Sequence, residues 1–366
     1  MKHKIDIEHR MSDTKLLWHM DRVRAFYDRG ERITPILINI GATKKCNLRC
    51  VYCYGIFQQR KNAIIEREPL LKLFEHAPKL GVRSMEIIGD GEPTLNPHIY
   101  DAMDIGKKNG LDMAFSTNGV LLDSDEKREN VLRNCVWMRF NLSAGTREGY
   151  KKIHNYDGFD KVTENASRMI ELKKEKEYGC EIGLQAVYVP WLMNKEMIEE
   201  SKLAVRLGVD YLVIKQCSLP DGNEGVADVK FNVDDYDNPK IVRILKRCEG
   251  MSTEDTKIIV KWSHLEQKGR RPYNRCVDVP LLFQVSGDGK CYPCGYLFGN
   301  EKFCYGDLNK NSLEEILSSE KYWGIVKQMI EEFDVHKDCK GSCRHDKCNE
   351  FIWNYLNNKP KGINFI

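Results

Sequence analysis

Three cysteines stand within eight residues of this chain, in the stretch GATKKCNLRCVYCYG at 41–55. Cys46, Cys50 and Cys53 are thiolate ligands, which suit zinc or iron–sulfur clusters. A structural zinc site needs a closed set of four Cys or His ligands, and the nearest downstream histidine is His76. A cube-type cluster held by three thiolates would leave one iron open. The spacing therefore favours an iron–sulfur cluster whose fourth ligand is a small molecule.

A second group of cysteines lies near the C-terminus, where seven of the fourteen fall between Cys276 and Cys348. The charged N-terminus is not a signal peptide, and no window has the roughly 18 apolar residues that span a bilayer. We therefore expect a cytoplasmic protein with no membrane partner, in which many thiols indicate metal binding rather than disulfides. The net charge of +3 comes from dispersed basic residues, which disfavours a nucleic-acid partner.

Alternating strands and helices must position the first cysteine group. Strand-like apolar runs lie at 35–42, 84–90, 111–119, 136–145, 181–190 and 210–218, and helical patterns at 66–80, 97–109, 124–134, 158–177 and 194–207. This series predicts an α/β fold, a partial (β/α)₆ TIM-like barrel with a small cysteine-rich C-terminal domain. Chemistry in such folds sits at the carboxyl ends of the strands, and the three cysteines follow the first strand.

The composition divides the chain into four parts. We expect an N-terminal extension at 1–34, the barrel at 35–218, a linker rich in Gly, Asp and Asn at 219–260, and the cysteine-rich domain at 261–366.

C-x-x-x-C-x-x-C with an aromatic residue before the last cysteine, after the first strand of a partial barrel, resembles the radical S-adenosylmethionine (SAM) superfamily. The resemblance implies that SAM chelates the open iron of a [4Fe-4S] cluster and is reductively cleaved to a 5′-deoxyadenosyl radical, which abstracts hydrogen from a substrate. It also implies an electron donor such as flavodoxin or ferredoxin.

The resemblance assigns further residues to SAM. GDGEP at 89–93 looks like the family's Gly-Gly-Glu-Pro element, with Asp90 in place of a glycine. STNG at 116–119 and NLS at 141–143 end the third and fourth strands, and their short polar side chains suit SAM ribose and carboxylate oxygens. Tyr52 is expected beside the adenine. The implied SAM-binding residues are Tyr52, Gly91, Glu92, Pro93, Ser116, Asn118, Asn141 and Ser143.

The phrases DGKCYPC and GDLNKNSLEEIL, followed by late cysteines, resemble the SPASM or Twitch extensions of radical SAM enzymes. Such extensions carry auxiliary iron–sulfur clusters. The spacing better suits a Twitch-like single [4Fe-4S] cluster with Cys276, Cys294, Cys339 and Cys343 as ligands. Alternative ligands are Cys291, Cys304 and Cys348. A structural zinc ribbon is the competing interpretation.

Two residues at the end of the sixth strand are catalytic candidates. Cys217 could donate a hydrogen atom to a substrate radical, although free cysteines are often simply buried. Lys215 could bind an anion or accept a proton, since burial lowers the pKa of a lysine. His154 could face the site, but we expect it in a surface loop.

We therefore expect a radical SAM oxidoreductase acting on a polar small molecule, such as a sugar or aminocyclitol. It would oxidise a carbinol with the auxiliary cluster as electron acceptor. The 34 residues before the first strand are too few for a leader-peptide-binding domain, which favours a small substrate. The alternatives are a radical epimerase or peptide-modifying maturase that uses Cys217 as hydrogen donor. An iron–sulfur sensor without turnover is the alternative outside enzymes.

Overall fold

The computed structural model describes residues 13–53, 55, 62–217, 232–267, 270–339 and 343–365. Ten strands of the described residues form one sheet in the order β10-β9-β8-β1-β2-β3-β4-β5-β6-β7. They are β1 (Leu37–Ile40), β2 (Ser84–Ile87), β3 (Asp112–Thr117), β4 (Cys135–Asn141), β5 (Glu181–Tyr188), β6 (Tyr211–Gln216), β7 (Lys257–Val260), β8 (Leu282–Val285), β9 (Lys290–Tyr292) and β10 (Gly306–Asp307).

Eight of these strands, β8 and β1 to β7, pair in parallel, and β9 and β10 continue the sheet antiparallel beyond β8. The sheet has two edges, β7 and β10, so the barrel is open. The predicted α/β partial barrel with a C-terminal cysteine-rich part is confirmed.

Helices connect the strands and cover the outer face of the barrel. They are α1 (Met20–Arg29), α2 (Arg67–Lys79), α3 (Ile99–Lys108), α4 (Asp125–Asn134), α5 (Arg147–His154), α6 (Phe159–Glu175), α7 (Asn194–Leu207), α8 (Pro239–Glu249), α9 (Trp262–Gln267), α10 (Leu313–Ser318), α11 (Glu320–Glu331) and α12 (Asp346–Asn357). Their apolar faces and the strands form a continuous core that runs from Ile38 to Val335. No helix in the described ranges is both long and apolar enough to cross a bilayer.

The stretch predicted as a linker at 219–260 is partly regular structure. Residues 218–231 lie outside the described residues, but α8 and β7 follow them, and β7 pairs in parallel with β6. The barrel sheet therefore continues past the predicted boundary. Strand β8, from the predicted cysteine-rich domain, also pairs with β1, so the cysteine-rich part grows directly out of the barrel sheet.

Candidate active site

The three-cysteine loop begins after β1, and its backbone is hydrogen-bonded to the C-terminal end of α5. The backbone N–H groups of Arg49 and Val51 donate hydrogen bonds to the carbonyls of His154 (3.0 Å) and Ile153 (2.8 Å). Cys50 is buried, whereas Cys46 and Cys53 are half-buried. The loop therefore presents its thiols from a backbone that the end of α5 supports.

His154 contacts the middle cysteine of this loop. It is the last residue of α5 and fully buried, and its Nδ1 lies 2.9 Å from Cys50 Sγ. Its Nε2 is bonded to the carbonyl of Leu142, which can only accept, so Nε2 carries the proton. Burial lowers the pKa of His154 to about 4. The expectation of a surface-loop histidine was wrong. His154 belongs to a short helix whose Tyr150 and Ile153 side chains pack in the core, and it is buried with them.

The GDGEP loop packs so closely against the cysteine loop that glycine is required. A Cβ on Gly91 would lie 2.2 Å from the carbonyl oxygen of Thr43 and 2.4 Å from that of Lys45. The N–H of Glu92 donates to the Lys45 carbonyl at 2.8 Å, and buried Pro93 begins a turn at Pro93–Leu95. The predicted SAM-binding loop therefore lies directly against the predicted cluster loop.

The Glu92 carboxylate is fully enclosed and already bonded. It accepts hydrogen bonds from the Thr94 hydroxyl (2.7 Å), the Thr117 hydroxyl (2.6 Å) and the Asn118 N–H (2.7 Å). Burial nevertheless raises its pKa. The side chain thus fixes the loop after β2 to the end of β3, which leaves the backbone of the loop to meet a ligand.

The other predicted SAM residues form two hydrogen-bonded groups at the strand ends. The Tyr52 hydroxyl is 2.8 Å from Ser143 Oγ and donates to Asn141 Oδ1 at 3.3 Å. Asn118 Nδ2 donates to Asn47 Oδ1 at 2.7 Å, beside Cys46. Six of the eight predicted SAM residues thus contact the cysteine loop or one another: Tyr52, Gly91, Glu92, Asn118, Asn141 and Ser143.

The interior face of the barrel carries a charged group that sequence analysis only partly anticipated. Arg139 on β4 donates through Nε to Ser116 Oγ at 2.8 Å, and its Nη2 lies 3.2 Å from Glu86 Oε1 on β2. Arg344, next to Cys343, lies 3.6 Å from Glu86 Oε2. The alternation of Arg139 with Asn141 along β4 is the signal that could have placed Arg139 on this face.

Lys215 on β6 completes this group. Burial, followed by the charges of Arg139 and Arg344, lowers the pKa of Lys215 to about 7. Burial also raises the pKa of Cys217, two residues further on, to about 12, so its thiol stays protonated. The Cys217 N–H donates to the Tyr236 hydroxyl at 2.8 Å, and the side chain is part of the core.

Four cysteines of the C-terminal part lie near one another. Burial is the largest cause that raises the pKa of the Cys276 thiol, and the nearby charges of Asp278, Cys343, Cys294 and Cys339 raise it further. Burial raises the pKa of Cys294 to about 12 and also raises that of Cys343. The nearby charges of Asp278 and Cys339 raise both further. The structure therefore gathers the four residues predicted as auxiliary-cluster ligands.

The three alternative ligands lie elsewhere. Cys291 on β9 and Cys304 before β10 are buried beside each other, and each thiol faces a backbone carbonyl, Gly289 (3.6 Å) and Gly306 (3.4 Å) respectively. Cys348 lies on α12 against the small N-terminal core around Val23. These positions favour packing roles.

Both cysteine groups fit iron–sulfur clusters. None of the fourteen cysteines forms a disulfide. Within the described residues, no three His, Cys, Asp or Glu side chains converge closely enough for a single metal ion. Thiolates are the usual protein ligands of iron–sulfur clusters, and the two groups supply three and four of them. Cys46, Cys50 and Cys53 would hold the SAM-binding cluster, and Cys276, Cys294, Cys339 and Cys343 an auxiliary one.

The fold and the site thus define a parallel-barrel protein that holds iron–sulfur clusters at its strand ends. Residues 40–210 match the Radical SAM superfamily, and residues 276–349 match SPASM, an iron-sulfur cluster-binding domain. The chain thus contains a radical SAM domain and a C-terminal SPASM domain. The first implies SAM and a [4Fe-4S] cluster as cofactors, and the second implies auxiliary iron–sulfur clusters.

Two curated relatives illustrate the range of similar sequences. The tungsten-containing aldehyde ferredoxin oxidoreductase cofactor-modifying protein of Pyrococcus furiosus is 24% identical over 323 residues, 84% of this chain and 87% of the relative. A probable GTP 3′,8-cyclase of Archaeoglobus fulgidus is 32% identical over 158 residues, 43% of this chain and 48% of the relative. The chain thus aligns with only about half of that cyclase.

Solved structures share the fold. Streptococcus suis SuiB bound to S-adenosylmethionine superposes with a TM-score of 0.64 at 16% identity, covering 84% of this chain and 72% of SuiB. anSMEcpe with bound AdoMet gives 0.60 at 18% identity, covering 88% and 96%.

Proposed function

We propose that this radical SAM enzyme removes a hydrogen atom from the carbon beside a hydroxyl in a polar small molecule, such as a sugar or aminocyclitol, and oxidises that carbinol to a carbonyl. The observation that carries the proposal is the polar interior face of the barrel, where Glu86, Arg139 and Lys215 lie on three different strands. Glu86 and Arg139 pair with each other, but the Lys215 side chain has no ion-pair partner among the described residues. An apolar substrate would leave that charge unmatched, which costs free energy away from solvent.

Unpartnered amides on the same face support a polar substrate. Both side-chain amide atoms of Asn39 and Oε1 of Gln185 are buried and have no hydrogen-bond partner among the described residues. Asn39 is in register with Glu86, and Gln185 with Asn141, so the amides belong to the same face as the charged group. Hydroxyl groups, which both donate and accept, would satisfy them.

The oxidation must balance one hydrogen atom, one electron and one proton. When bound, the clusters supply the electron that cleaves SAM and an acceptor for the electron that the substrate loses. The hydrogen atom goes to the 5′-deoxyadenosyl radical and yields 5′-deoxyadenosine, and the hydroxyl proton goes to a base. Reduced flavodoxin or ferredoxin is the proposed source of the first electron.

We assign the role of this base to His264. Burial lowers the pKa of His264 and keeps its imidazole neutral. It lines a small pocket together with Gln216, at the end of β6, and Cys343 of the auxiliary group. The pocket therefore adjoins both the barrel and the proposed acceptor.

Anaerobic assays test the proposal. Reconstituted enzyme, dithionite, SAM and carbon-deuterated polyols should give 5′-deoxyadenosine that carries deuterium, together with a carbonyl product. Cys135→Ala, which removes a buried cysteine remote from both groups, is the matched control for Cys50→Ala and should keep activity. Deuterium transfer from peptides but from no small molecule would contradict the proposal.

A second candidate is a peptide-modifying maturase or an epimerase. Two proteins of similar fold have structures with peptides: SuiB bound to precursor peptide SuiA, and anSMEcpe bound to a Cp18Cys peptide. Cys217 favours an epimerase, because a protonated thiol is the form that can donate a hydrogen atom. Return of solvent deuterium to the abstracted carbon would distinguish epimerisation from oxidation.

A further inference from the structure

Among the described residues, two arginines inside the barrel approach one carboxylate. Arg139 and Arg344 share the single carboxylate of Glu86, one guanidinium at each oxygen, at 3.2 and 3.6 Å. The side chains of Glu86 and Arg139 are only 16% and 13% exposed. Glu86 is therefore fully used by the two arginines.

Two lysines add positive charge to the same place. The side chains of Lys215 and Lys261 have no hydrogen-bond or ion-pair partner among the described residues, and the charge of Arg139 acts on both. Burial and the nearby cations lower the pKa of Lys215 to about 7 and that of Lys261 to about 8. Positive charge at partly buried sites without an ion-pair partner is costly, so the site favours an incoming anion.

These cations adjoin the predicted SAM residues on one side, where Arg139 bonds to Ser116 at 2.8 Å, and extend away from them along the strands. Arg139 is two residues before Asn141 on β4, and one residue of strand spans about 3.3 Å. Lys215 lies on β6, whereas the predicted SAM residues come from the β1 to β4 side. Arg344 enters from the cysteine-rich part beside Cys343. The group thus has contacts both with a predicted SAM residue and, through Arg344, with the cysteine-rich part.

We propose that the substrate carries an anionic group, a carboxylate or a phosphate, which Arg139, Lys215 and Arg344 bind inside the barrel. This inference rests on the proposed function and names the class of its substrate. Glu86 positions the two guanidinium groups, and Lys215 supplies the charge that Glu86 leaves unmatched.

Direct binding measurements test the anion site. Calorimetry on the anaerobically reconstituted full chain with SAM should show saturable binding of inorganic phosphate, of acetate, or of both, and the comparison distinguishes the two chemistries. Lys215→Met should weaken this binding about tenfold or more, because a charge-assisted contact is lost. Lys215→Arg should keep the anion affinity, because the charge is retained. Lys72 is an exposed lysine on α2, and Lys72→Met should bind the anion like the wild type.

The SAM carboxylate is the competing anion, and SAM affinity separates the two possibilities. If Lys215→Met loses SAM affinity by the same factor, the cations serve SAM, and the proposal is overturned. Absence of saturable binding in the wild type, or unchanged binding in Lys215→Met, overturns it as well. Should Lys215→Met fail to fold, the half-exposed Arg344→Met takes its place with the same expectations.

Measuring 5′-deoxyadenosine and carbonyl product in the same wild-type samples distinguishes failure of the anion-site proposal from failure of the proposed oxidation. SAM cleavage and carbonyl formation without anion binding would remove the anion site and leave the proposed oxidation standing. Anion binding without any substrate-derived carbonyl would do the reverse.

Discussion

The carboxylate of Asp90 accepts a hydrogen bond from the hydroxyl of Ser286 at 2.8 Å, across 196 positions of the chain. It also accepts one from the Gly287 N–H at 3.0 Å, and Lys44 lies beside it while pairing with Asp288 at 3.1 Å. Asp90 stands where the Gly-Gly-Glu-Pro element, which the resemblance implies for this loop, would have its first glycine. The Asp90 side chain thus links the loop that would hold SAM to the turn between β8 and β9.

Asp90→Ala should lower the free energy of unfolding by about 1–3 kcal/mol, because it strips a partner from buried donors. SAM affinity should fall too, since Gly91 is the next residue in the loop. Denaturant unfolding and SAM titration measure the two effects. The control is Asp101→Ala, which breaks a surface pair with Arg67 and should cost about 0–1 kcal/mol. Equal effects of the two variants would refute the role of Asp90.

Replacing Cys46, Cys50 and Cys53 together by alanine should remove one cluster. Iron per chain should fall by about four, from about eight if there is one auxiliary cluster, and 5′-deoxyadenosine formation should stop. Iron and sulfide analysis on anaerobically purified protein measures the first effect, and Cys135→Ala should change neither. Retention of all the iron would show that the cluster lies elsewhere.

The auxiliary ligands can be separated from the alternative cysteines in the same way. Serine at Cys276, Cys294 or Cys343 should lower iron content and the visible absorbance of the second cluster, because these thiols lie together. Serine at Cys348 should leave both unchanged, since that thiol faces the N-terminal core. Zinc in place of iron at this site would instead support a structural ribbon.

Anion binding should weaken as pH rises. With pKa values of about 7 and 8, Lys215 and Lys261 are charged at low pH and lose their protons in turn. Over the same range Arg139 and Arg344 stay charged, Glu86 stays ionised because the arginines outweigh the effect of burial on its pKa, and Cys217 stays neutral.

Sulfate, whose charge is constant, is the probe for this titration, from about pH 6 to about pH 8.5. The dissociation constant should rise across that window in the wild type. It should stay nearly flat in a double variant with arginine at positions 215 and 261, which cannot lose its charge. A flat profile in the wild type would contradict the assignment.

Cys217→Ala distinguishes oxidation from epimerisation. If the enzyme oxidises its substrate, the variant should keep carbonyl formation, at a stability cost of about 1 kcal/mol for the small cavity. If it epimerises, the variant should lose incorporation of solvent deuterium at the abstracted carbon. Product analysis by mass spectrometry in deuterated water reads out both.

Several elements could be predicted because their signals are local. The six predicted strands and five helices differ from the observed bounds by a few residues, since apolar runs and helical periodicity mark them in the sequence. The prediction of a linker at 219–260 was wrong for α8 and β7. The polar composition of this stretch gave no clear signal for an 11-residue helix or for the four-residue strand Lys257–Val260.

The sequence by itself determined the class of chemistry. Three thiols at a fixed spacing after one strand indicate an iron–sulfur cluster, and a glycine-rich loop after the next strand indicates a site for SAM. Only the tertiary structure decided which distant groups meet, such as His154 with Cys50, Asp90 with Ser286, and Glu86 with both Arg139 and Arg344. Local patterns report propensity and burial over a few neighbouring residues. Contacts between strands far apart in the chain depend on the register and curvature of the whole sheet.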